Sequence, residues 1–251
     1  MALRVGLSRG RLGLAPFQAG RRCFSGPTEP PAPLGFVPPA IYGIGLNYRK
    51  HAAETGKEPP RFPIYFLKPV TSLIGSGDSI VIPKACNPEE VDWEAELAIV
   101  IGKAAKNVSE ANALEYVRGY TACNDVSARR WQGKKGGGQW CRSKAFDTFT
   151  PMGPKLVSTS EIPDPNNLAI SLSVNGEVKQ SSNTKDMIFS VPQIVAFISQ
   201  GTTLLPGTVI LTGTPEGVGY SRKPAQFLKP GDTVTVSIEG IGDLTNTVKA
   251  E

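Results

Sequence analysis

The chain has 251 residues, enough to bury a large core without disulfides or structural metals, and it carries 27 lysines and arginines against 22 acidic residues. Five of those arginines lie in residues 1–24, a segment without acidic residues, so the rest of the chain has 22 basic and 22 acidic residues and no net charge. This balance, together with the lack of an apolar run long enough to span a bilayer, leads us to expect neither nucleic acid nor a membrane as a partner.

The first 24 residues have the composition of a mitochondrial presequence, because the five arginines alternate with apolar residues. Arg22, three residues before Ser25, resembles a matrix-processing site, although an ordinary basic tail fits the same composition. Residues 25–39 are rich in Pro and Gly and predict an extended linker. We therefore expect a single folded domain over residues 40–251. The four cysteines show no CxxC spacing, which indicates neither a zinc site nor a disulfide framework.

A short strand is predicted over residues 41–46, and residues 47–54 suit a helix because they contain alanine and lack Gly and Pro. His51, the only histidine in the chain, lies three residues before Glu54, so the two share a helical face. A carboxylate partner fixes the imidazole tautomer and raises its basicity, as a general base requires. The pair predicts a catalytic base, and a plain ion pair on a helix surface is the alternative. Turn residues after the helix leave its ends loose, so we expect a bound ligand to order it.

Residues 91–103 predict a strand in which acidic and apolar residues alternate. Because side chains alternate faces along a strand, Asp92, Glu94 and Glu96 share one face and the apolar residues face the core. Adjacent carboxylates require water, a basic partner or a cation. This segment alone leaves two interpretations open, a solvated face with lysine partners and a metal site.

The rest of the sequence contains more strands than helices. Strands are predicted within residues 64–68, 79–82, 120–125, 233–238 and 244–248, and a further strand runs from residue 205 into a loop over residues 212–219. A hairpin that turns at Asn175-Gly176 is predicted within residues 168–180. Helices are predicted after Ser109, as far as about residue 118, and over residues 191–200. This order predicts an α+β, mainly β domain instead of alternating βαβ units.

Three further features border these elements. Asp125 ends a predicted strand and is the third carboxylate that we bring to the same cation, since strand ends deliver side chains to the edge where sites are commonly built. Lys68 also ends a predicted strand. Two environments fit its side chain, exposure to solvent at the strand end and contact with an acid. Residues 133–138 contain four glycines and two lysines and predict a mobile loop, either a lid or a plain surface loop.

Together these motifs resemble the fumarylacetoacetate hydrolase family over about residues 41–248. The resemblance is carried by the His51–Glu54 pair, Glu94-Ala95-Glu96, Asp125 in NDVSAR, Lys144 in SKAFDTF and the Gly-Thr-Pro turn within residues 212–219. Within this family, the segments VDWE, DTFTPMGP and SSNT most resemble a mitochondrial branch, the fumarylacetoacetate hydrolase domain-containing protein 2 branch. Arg130 is a departure, because the family commonly carries an acid there, and it puts a salt bridge or loop in question but not the metal site.

The resemblance implies the C-terminal-domain-like fold of that family, with mixed β-sheets and few short helices, and a homodimer. It also implies roles for nine residues. The implied ligands of a divalent cation are Glu94, Glu96 and Asp125, and all-oxygen ligands point to Mg²⁺ or Mn²⁺ over zinc. The implied catalytic residues are His51, Glu54 and Lys144, and the implied substrate-binding residues are Arg129, Gln132 and Thr214.

The substrates implied by the resemblance are small 2-oxo acids that enolise. If His51 moves a proton at the carbon beside the ketone, the reaction is keto–enol tautomerisation, as with oxaloacetate. If His51 activates water, the reaction is hydrolysis of a C–C bond in an acylpyruvate. The mitochondrial segment and the closer branch favour an oxaloacetate tautomerase in the matrix. Hydrolysis, decarboxylation of oxaloacetate, and a catalytically idle scaffold are the alternatives.

Overall fold

The computed structural model describes residues 32–86 and 90–251. The predicted presequence, residues 1–24, and the first part of the predicted linker lie outside the described residues. None of the helices within the described ranges has both the length and the apolar character needed to cross a bilayer.

The described end of the predicted linker lies against the domain. Pro38 is buried, and Leu34 and Phe36 pack on a cluster of core residues. The Arg118 guanidinium lies 5.5 Å from the centre of the Phe36 ring. These residues therefore belong to the packed part of the chain.

Strands account for most of the regular structure, and the helices are short. In chain order the strands are β1 (Ile41–Gly45), β2 (Ile64–Lys68), β3 (Leu73–Ile74), β4 (Ser79–Ile82), β5 (Val91–Asp92), β6 (Ala95–Ile101), β7 (Val117–Asn124), β8 (Ser127–Ala128), β9 (Thr150–Ser158), β10 (Ala169–Val174), β11 (Glu177–Asn183), β12 (Val209–Leu211), β13 (Thr233–Ile238) and β14 (Gly242–Ala250). The α-helices of the described residues are α1 (Arg49–Glu54), α2 (Arg129–Gln132), α3 (Trp140–Lys144) and α4 (Val191–Ser199).

The strands form two large sheets and a short ribbon. The seven-stranded sheet has the order β2-β1-β12-β6-β7-β9-β3, the five-stranded sheet has the order β11-β10-β13-β14-β4, and β5 pairs with β8. Both large sheets are mixed: β1 runs parallel to β12 and β14 parallel to β4, whereas β12, β6 and β7 are antiparallel neighbours. The predicted α+β, mainly β fold with mixed sheets and short helices is confirmed.

The two large sheets share one core, and β6 runs through it. Every residue of β6 is buried. Leu97 and Ile99 belong to the same apolar cluster as Leu172 of β10 and Val236 of β13. Fully burying such a side chain contributes roughly 1.5–3 kcal/mol to folding. Both faces of β6 therefore lie against protein, so the solvated acidic face considered from the sequence is not what this strand forms.

Local signals located the hairpin and the longest helix. Asn175 and Gly176, between β10 and β11, have φ angles of 53° and 80°, as a two-residue type I′ turn requires. At the start of α4, Ser190 and Gln193 exchange the two hydrogen bonds of a capping box. Other boundaries were wrong. A 3₁₀ helix, Glu110–Tyr116, replaces the α-helix predicted after Ser109. The strand predicted from residue 205 to the loop at Thr212 is limited to Val209–Leu211.

Candidate active site and metal centre

The acidic stretch is not one continuous strand. Residues 93–94 separate β5 from β6 and leave the ladder. The backbone N–H groups of residues 93–95 donate to side-chain oxygens, those of Asp92, Asn124 and Gln180 in turn. The prediction of an uninterrupted strand over residues 91–103 was therefore wrong, because side chains supply the acceptors that a neighbouring strand would otherwise provide.

Three carboxylates meet at this break. Glu94 lies in the break itself, Glu96 is the second residue of β6, and Asp125 directly follows β7. One oxygen from each side chain lies within 4.8 Å of the other two, and all three residues are buried. The Asp125 N–H donates to the Glu94 carbonyl at 2.9 Å, which joins the two segments. The structure thus brings the three predicted metal ligands together.

Three basic side chains border two of these carboxylates. Lys144, at the end of α3, donates from Nζ to Glu94 Oε2 at 2.8 Å and to Asp125 Oδ2 at 2.5 Å. Arg129 donates from Nη1 to Glu94 Oε1 at 2.5 Å. Lys68, at the end of β2, donates to Asp125 Oδ1 at 2.5 Å and is buried. Of the two interpretations of Lys68, the contact with an acid is the one found.

The pKa values of Glu94 and Glu96 are shifted in opposite directions. Burial acts to raise the pKa of Glu94, but the charges of Lys144 and Arg129 outweigh it and hold that pKa at about 2. For Glu96, burial raises the pKa well above its ordinary value, and the charges of Asp125 and Glu94 raise it further. Glu96 accepts a hydrogen bond from the Gly213 N–H at 2.6 Å, and no basic side chain of the described residues forms an ion pair with it.

This donor set fits a hard divalent cation. All three side chains offer oxygen, which Mg²⁺ and Mn²⁺ prefer, and no cysteine or histidine belongs to the group. Burial and the charges of Asp125 and Glu94 disfavour the charged form of Glu96, and a divalent cation bound by the three carboxylates would favour that form. Carboxylate oxygens are ligands that suit both Mg²⁺ and Mn²⁺.

Gly213 offers a test of this arrangement. Its φ is +94°, and a Cβ there would lie 2.7 Å from the Asn47 Cβ. Gly213→Ala is therefore expected to destabilise the fold by about 1–3 kcal/mol and to weaken Mn²⁺ binding, because the N–H that donates to Glu96 must shift. Thermal unfolding and Mn²⁺ titration measure the two effects. Gly176→Ala is the matched control, since Gly176 also has positive φ but nothing within 4 Å of the added Cβ. Equal Mn²⁺ affinity in both variants would remove the role of the Gly213 N–H.

The predicted His–Glu pair is formed. His51 Nδ1 lies 2.7 Å from Glu54 Oε1. Glu54 also accepts from the Gly217 N–H, at 3.1 Å for its closer oxygen, and from Ser221 Oγ at 2.9 Å. Burial acts to raise the pKa of Glu54, but the hydrogen bonds from His51, Gly217 and Ser221 lower it overall. Glu54 is therefore an acceptor at neutral pH, so Nδ1 carries the proton and Nε2 is the basic nitrogen of His51.

Contacts with the protein hold α1 at both ends. Arg49 donates to the carbonyls of Asp186 and Met187, and the Lys50 N–H donates to Asp186 Oδ2 at 3.0 Å. Glu54 is held by the Gly217 N–H at the other end. The sequence predicted that this helix has loose ends and becomes ordered when a ligand binds. That prediction did not include these contacts, which join residues more than 130 positions apart in the sequence.

His51 and Glu94, one of the three carboxylates, line the same cavity. It has a volume of about 280 Å³. The predicted site residues that line it are His51, Glu94, Lys144, Arg129, Gln132 and Thr214. Phe66, Trp140 and Tyr220 supply apolar walls. Tyr220 was not identified from the sequence, because nothing in the local pattern near it indicates a pocket wall.

The three residues predicted to bind substrate differ in how many hydrogen bonds they already form with other side chains. Arg129 is committed to Asp92 and Glu94, and its Nη1 also donates to Gln132 Oε1 at 2.8 Å. Thr214 Oγ1 accepts from Gln180 Nε2 at 2.9 Å. Gln132 and Thr214 thus line the cavity with polar atoms, whereas Arg129 acts first as a partner of two carboxylates.

Within the glycine-rich stretch, Gly136 is closely packed against α2. A Cβ on Gly136 would lie 2.3 Å from the Arg130 carbonyl oxygen, so only glycine fits there. Gly133 lines the cavity. Arg130, the departure from the family pattern, forms an ion pair with Glu90 at 3.0 Å and donates to the Ala85 carbonyl. Its contacts lie away from the three carboxylates, as expected of a change outside the metal site.

Known proteins match this chain over most of its length. A Xenopus laevis protein named mitochondrial oxaloacetate tautomerase fahd2 is 50% identical over 211 residues, which are 84% of this chain and 66% of that relative. The human protein named mitochondrial oxaloacetate tautomerase FAHD2A is 44% identical over 243 residues, which are 94% of this chain and 77% of that relative. The chain thus spans just under two thirds of the frog protein and more of the human one.

Structural similarity covers the same region. The solved structure of a fumarylacetoacetate hydrolase from the psychrophilic Exiguobacterium antarcticum matches with a TM-score of 0.78 and 41% identity, covering 86% of this chain and 78% of that one. Residues 40–249 match the family described as fumarylacetoacetate (FAA) hydrolase C-terminal. The chain therefore belongs to the fumarylacetoacetate hydrolase family.

Proposed function

We propose that the chain is a divalent-metal-dependent keto–enol tautomerase that acts on oxaloacetate. The observation that carries the proposal is the shared cavity, which is lined both by His51 and by Glu94 of the carboxylate group. Enolisation requires a base beside a carbon and positive charge beside the ketone oxygen. The names of the frog and human relatives support oxaloacetate as the substrate.

Three carboxylates and a lysine provide the electrostatic half of the mechanism. A divalent cation would be held by Glu94, Glu96 and Asp125 and would supply positive charge beside the ketone oxygen. Lys144 is buried at the same place, and the neighbouring carboxylates raise its pKa in spite of the opposing effect of burial. Lys144 therefore remains a cation at neutral pH and acts as a fixed positive charge, not as a base.

His51 and Glu54 provide the proton-transfer half. Glu54 holds the proton of His51 on Nδ1, so Nε2 can remove a proton from the carbon beside the ketone or return one to it. Gln132 and Thr214 line the same cavity and can position the far carboxylate of the substrate. In the keto-to-enol direction Nε2 takes the proton, the C–H electron pair forms the C=C bond and the C=O π pair moves onto oxygen. That oxygen then takes a proton from water, and His51 releases its extra proton to water.

Hydrolysis of an acylpyruvate is the second candidate, because the same His51–Glu54 pair can activate water and a solved relative is named a fumarylacetoacetate hydrolase. An assay of the purified protein with Mg²⁺ separates the candidates. We expect rapid loss of enol-oxaloacetate, followed by its ultraviolet absorbance, and much slower turnover of a panel of acylpyruvates. Preferential C–C cleavage would indicate a hydrolase, and release of CO₂ would indicate a decarboxylase. If no substrate is turned over, the chain is a catalytically idle scaffold.

We also propose that the protein resides in the mitochondrial matrix and loses its first two dozen or so residues there. The support is the basic, acid-free segment before Ser25 and the mitochondrial names of the relatives. The N-terminus of protein isolated from mitochondria is expected near Ser25 by mass spectrometry. Intact Met1 on most of the protein, or a cytosolic location, would overturn this proposal. The homodimer implied by the family remains a prediction for sedimentation to test.

A further inference from the structure

Asp92 is a buried carboxylate that has no role in the mechanism above. It has no solvent exposure, and it is not one of the three clustered metal-ligand candidates. Its oxygens accept four hydrogen bonds. The donors are the N–H groups of Trp93, Gly219 and Tyr220, at 2.8, 2.7 and 3.0 Å, and Arg129 Nε at 2.8 Å. A carboxylate with this many donors is fully occupied and holds its partners in fixed positions.

Through Arg129, Asp92 reaches the carboxylate group. With Nε held by Asp92, the planar guanidinium points Nη1 at Glu94 Oε1, 2.5 Å away. The ring of Tyr220, whose N–H also donates to Asp92, lies 4.5 Å from the centre of the guanidinium. The orientation of Glu94 thus depends on a side chain whose own orientation Asp92 fixes.

Through residues 217–221, Asp92 also reaches the base. Its bonds to Gly219 and Tyr220 hold the middle of this segment, while Glu54 holds the two ends through Gly217 N–H and Ser221 Oγ. Gly219 has no room for a side chain, because a Cβ would lie 2.5 Å from Asp92 Oδ1. One short segment is therefore shared between Asp92 and the partner of His51.

We propose that Asp92 is a positioning residue that fixes Glu94 through Arg129 and fixes Glu54 through residues 217–221. It thereby holds the carboxylate group and the base in fixed positions relative to each other. This inference rests on the proposed function for its effect on turnover. Its effects on metal affinity and on the order of the segment stand without it. Residues that orient metal ligands typically cost 10- to 100-fold in affinity or activity when changed.

The test is Asp92→Asn, which keeps the shape but replaces one acceptor oxygen by a donor. We expect Mn²⁺ affinity of the metal-free protein to fall about 10- to 100-fold, kcat to fall by a similar factor, and amide exchange in residues 217–221 to accelerate. Asp232→Asn is the matched control, since Asp232 also accepts from a backbone N–H, that of Lys229, but lies outside the cavity. The control is expected to change none of the three quantities.

Wild-type Mn²⁺ affinity and unchanged exchange in a folded Asp92→Asn protein would overturn the proposal, whatever substrate the enzyme uses. If Asp92→Asn does not fold, Arg129→Lys decides the metal arm, because it keeps the charge and loses the fork that joins Asp92 to Glu94. Wild-type Mn²⁺ affinity in Arg129→Lys would equally overturn the proposal. Altered metal affinity and exchange in a protein that does not turn over oxaloacetate would support the positioning role and reject the substrate.

Discussion

Replacing His51 by alanine is expected to lower turnover by about 10²- to 10⁴-fold, because the cavity then lacks the group that moves the proton. The affinity for Mn²⁺ should barely change, since the three carboxylates and their basic partners remain. Steady-state kinetics with saturating Mg²⁺ and direct Mn²⁺ titration measure the two quantities separately.

The double variant His51→Ala/Glu54→Ala is expected to cost little more than His51→Ala alone, because two residues that act as one unit are not additive. Lys50→Ala is the matched control on the same helix, where the side chain is largely exposed and pairs with Glu216 at 3.7 Å. It should keep full turnover. A His51→Ala enzyme with turnover near that of Lys50→Ala would contradict the assignment of the base.

Removal of the divalent cation is expected to abolish turnover, and Mg²⁺ or Mn²⁺ should restore it. Glu96→Gln is expected to affect the melting temperature differently with and without the metal. Without metal, burial and the charges of Asp125 and Glu94 raise the pKa of Glu96 and favour its neutral form, which glutamine resembles, so the melting temperature should rise or stay unchanged. With metal the substitution removes a ligand, so the increase in melting temperature on adding Mn²⁺ should shrink.

Glu115→Gln is a suitable control, because the Glu115 side chain is 67% exposed and lies outside the cavity. Its melting temperature should respond to Mn²⁺ as the wild type does. Full turnover of the wild-type protein in excess chelator would reject the metal assignment, and an unchanged Mn²⁺ response in Glu96→Gln would remove Glu96 from the ligand set.

Local sequence patterns predicted much of the fold and the types of chemistry. Asn175-Gly176 specified a two-residue turn because few other pairs adopt positive φ twice. The spacing of His51 and Glu54 predicted their contact, since residues three apart meet on a helix. Glu94, Glu96 and Asp125 were brought together by motif and by the expectation that strand ends meet at one edge, and the structure places their oxygens within 4.8 Å.

Contacts between distant segments were beyond local patterns. Lys68 and Asp125 are 57 residues apart, and a lysine at a strand end is equally compatible with solvent. The break in the strand at residues 93–94 depends on acceptors from Asn124 and Gln180, which are 30 and 85 residues from the N–H groups that they bind. The role of Asp92 was also hidden, because its partners Gly219 and Tyr220 follow it by more than 120 residues.

The most direct test of the account is the exchange of the hydrogens on C3 of oxaloacetate, followed by NMR in deuterated water. The metal-loaded wild-type protein is expected to accelerate this exchange strongly, and the His51→Ala protein with the same amount of bound Mg²⁺ is expected to lose the acceleration. Exchange at the wild-type rate in His51→Ala, or in wild-type protein stripped of metal, would contradict an enolisation carried out by His51 beside a metal-binding carboxylate group.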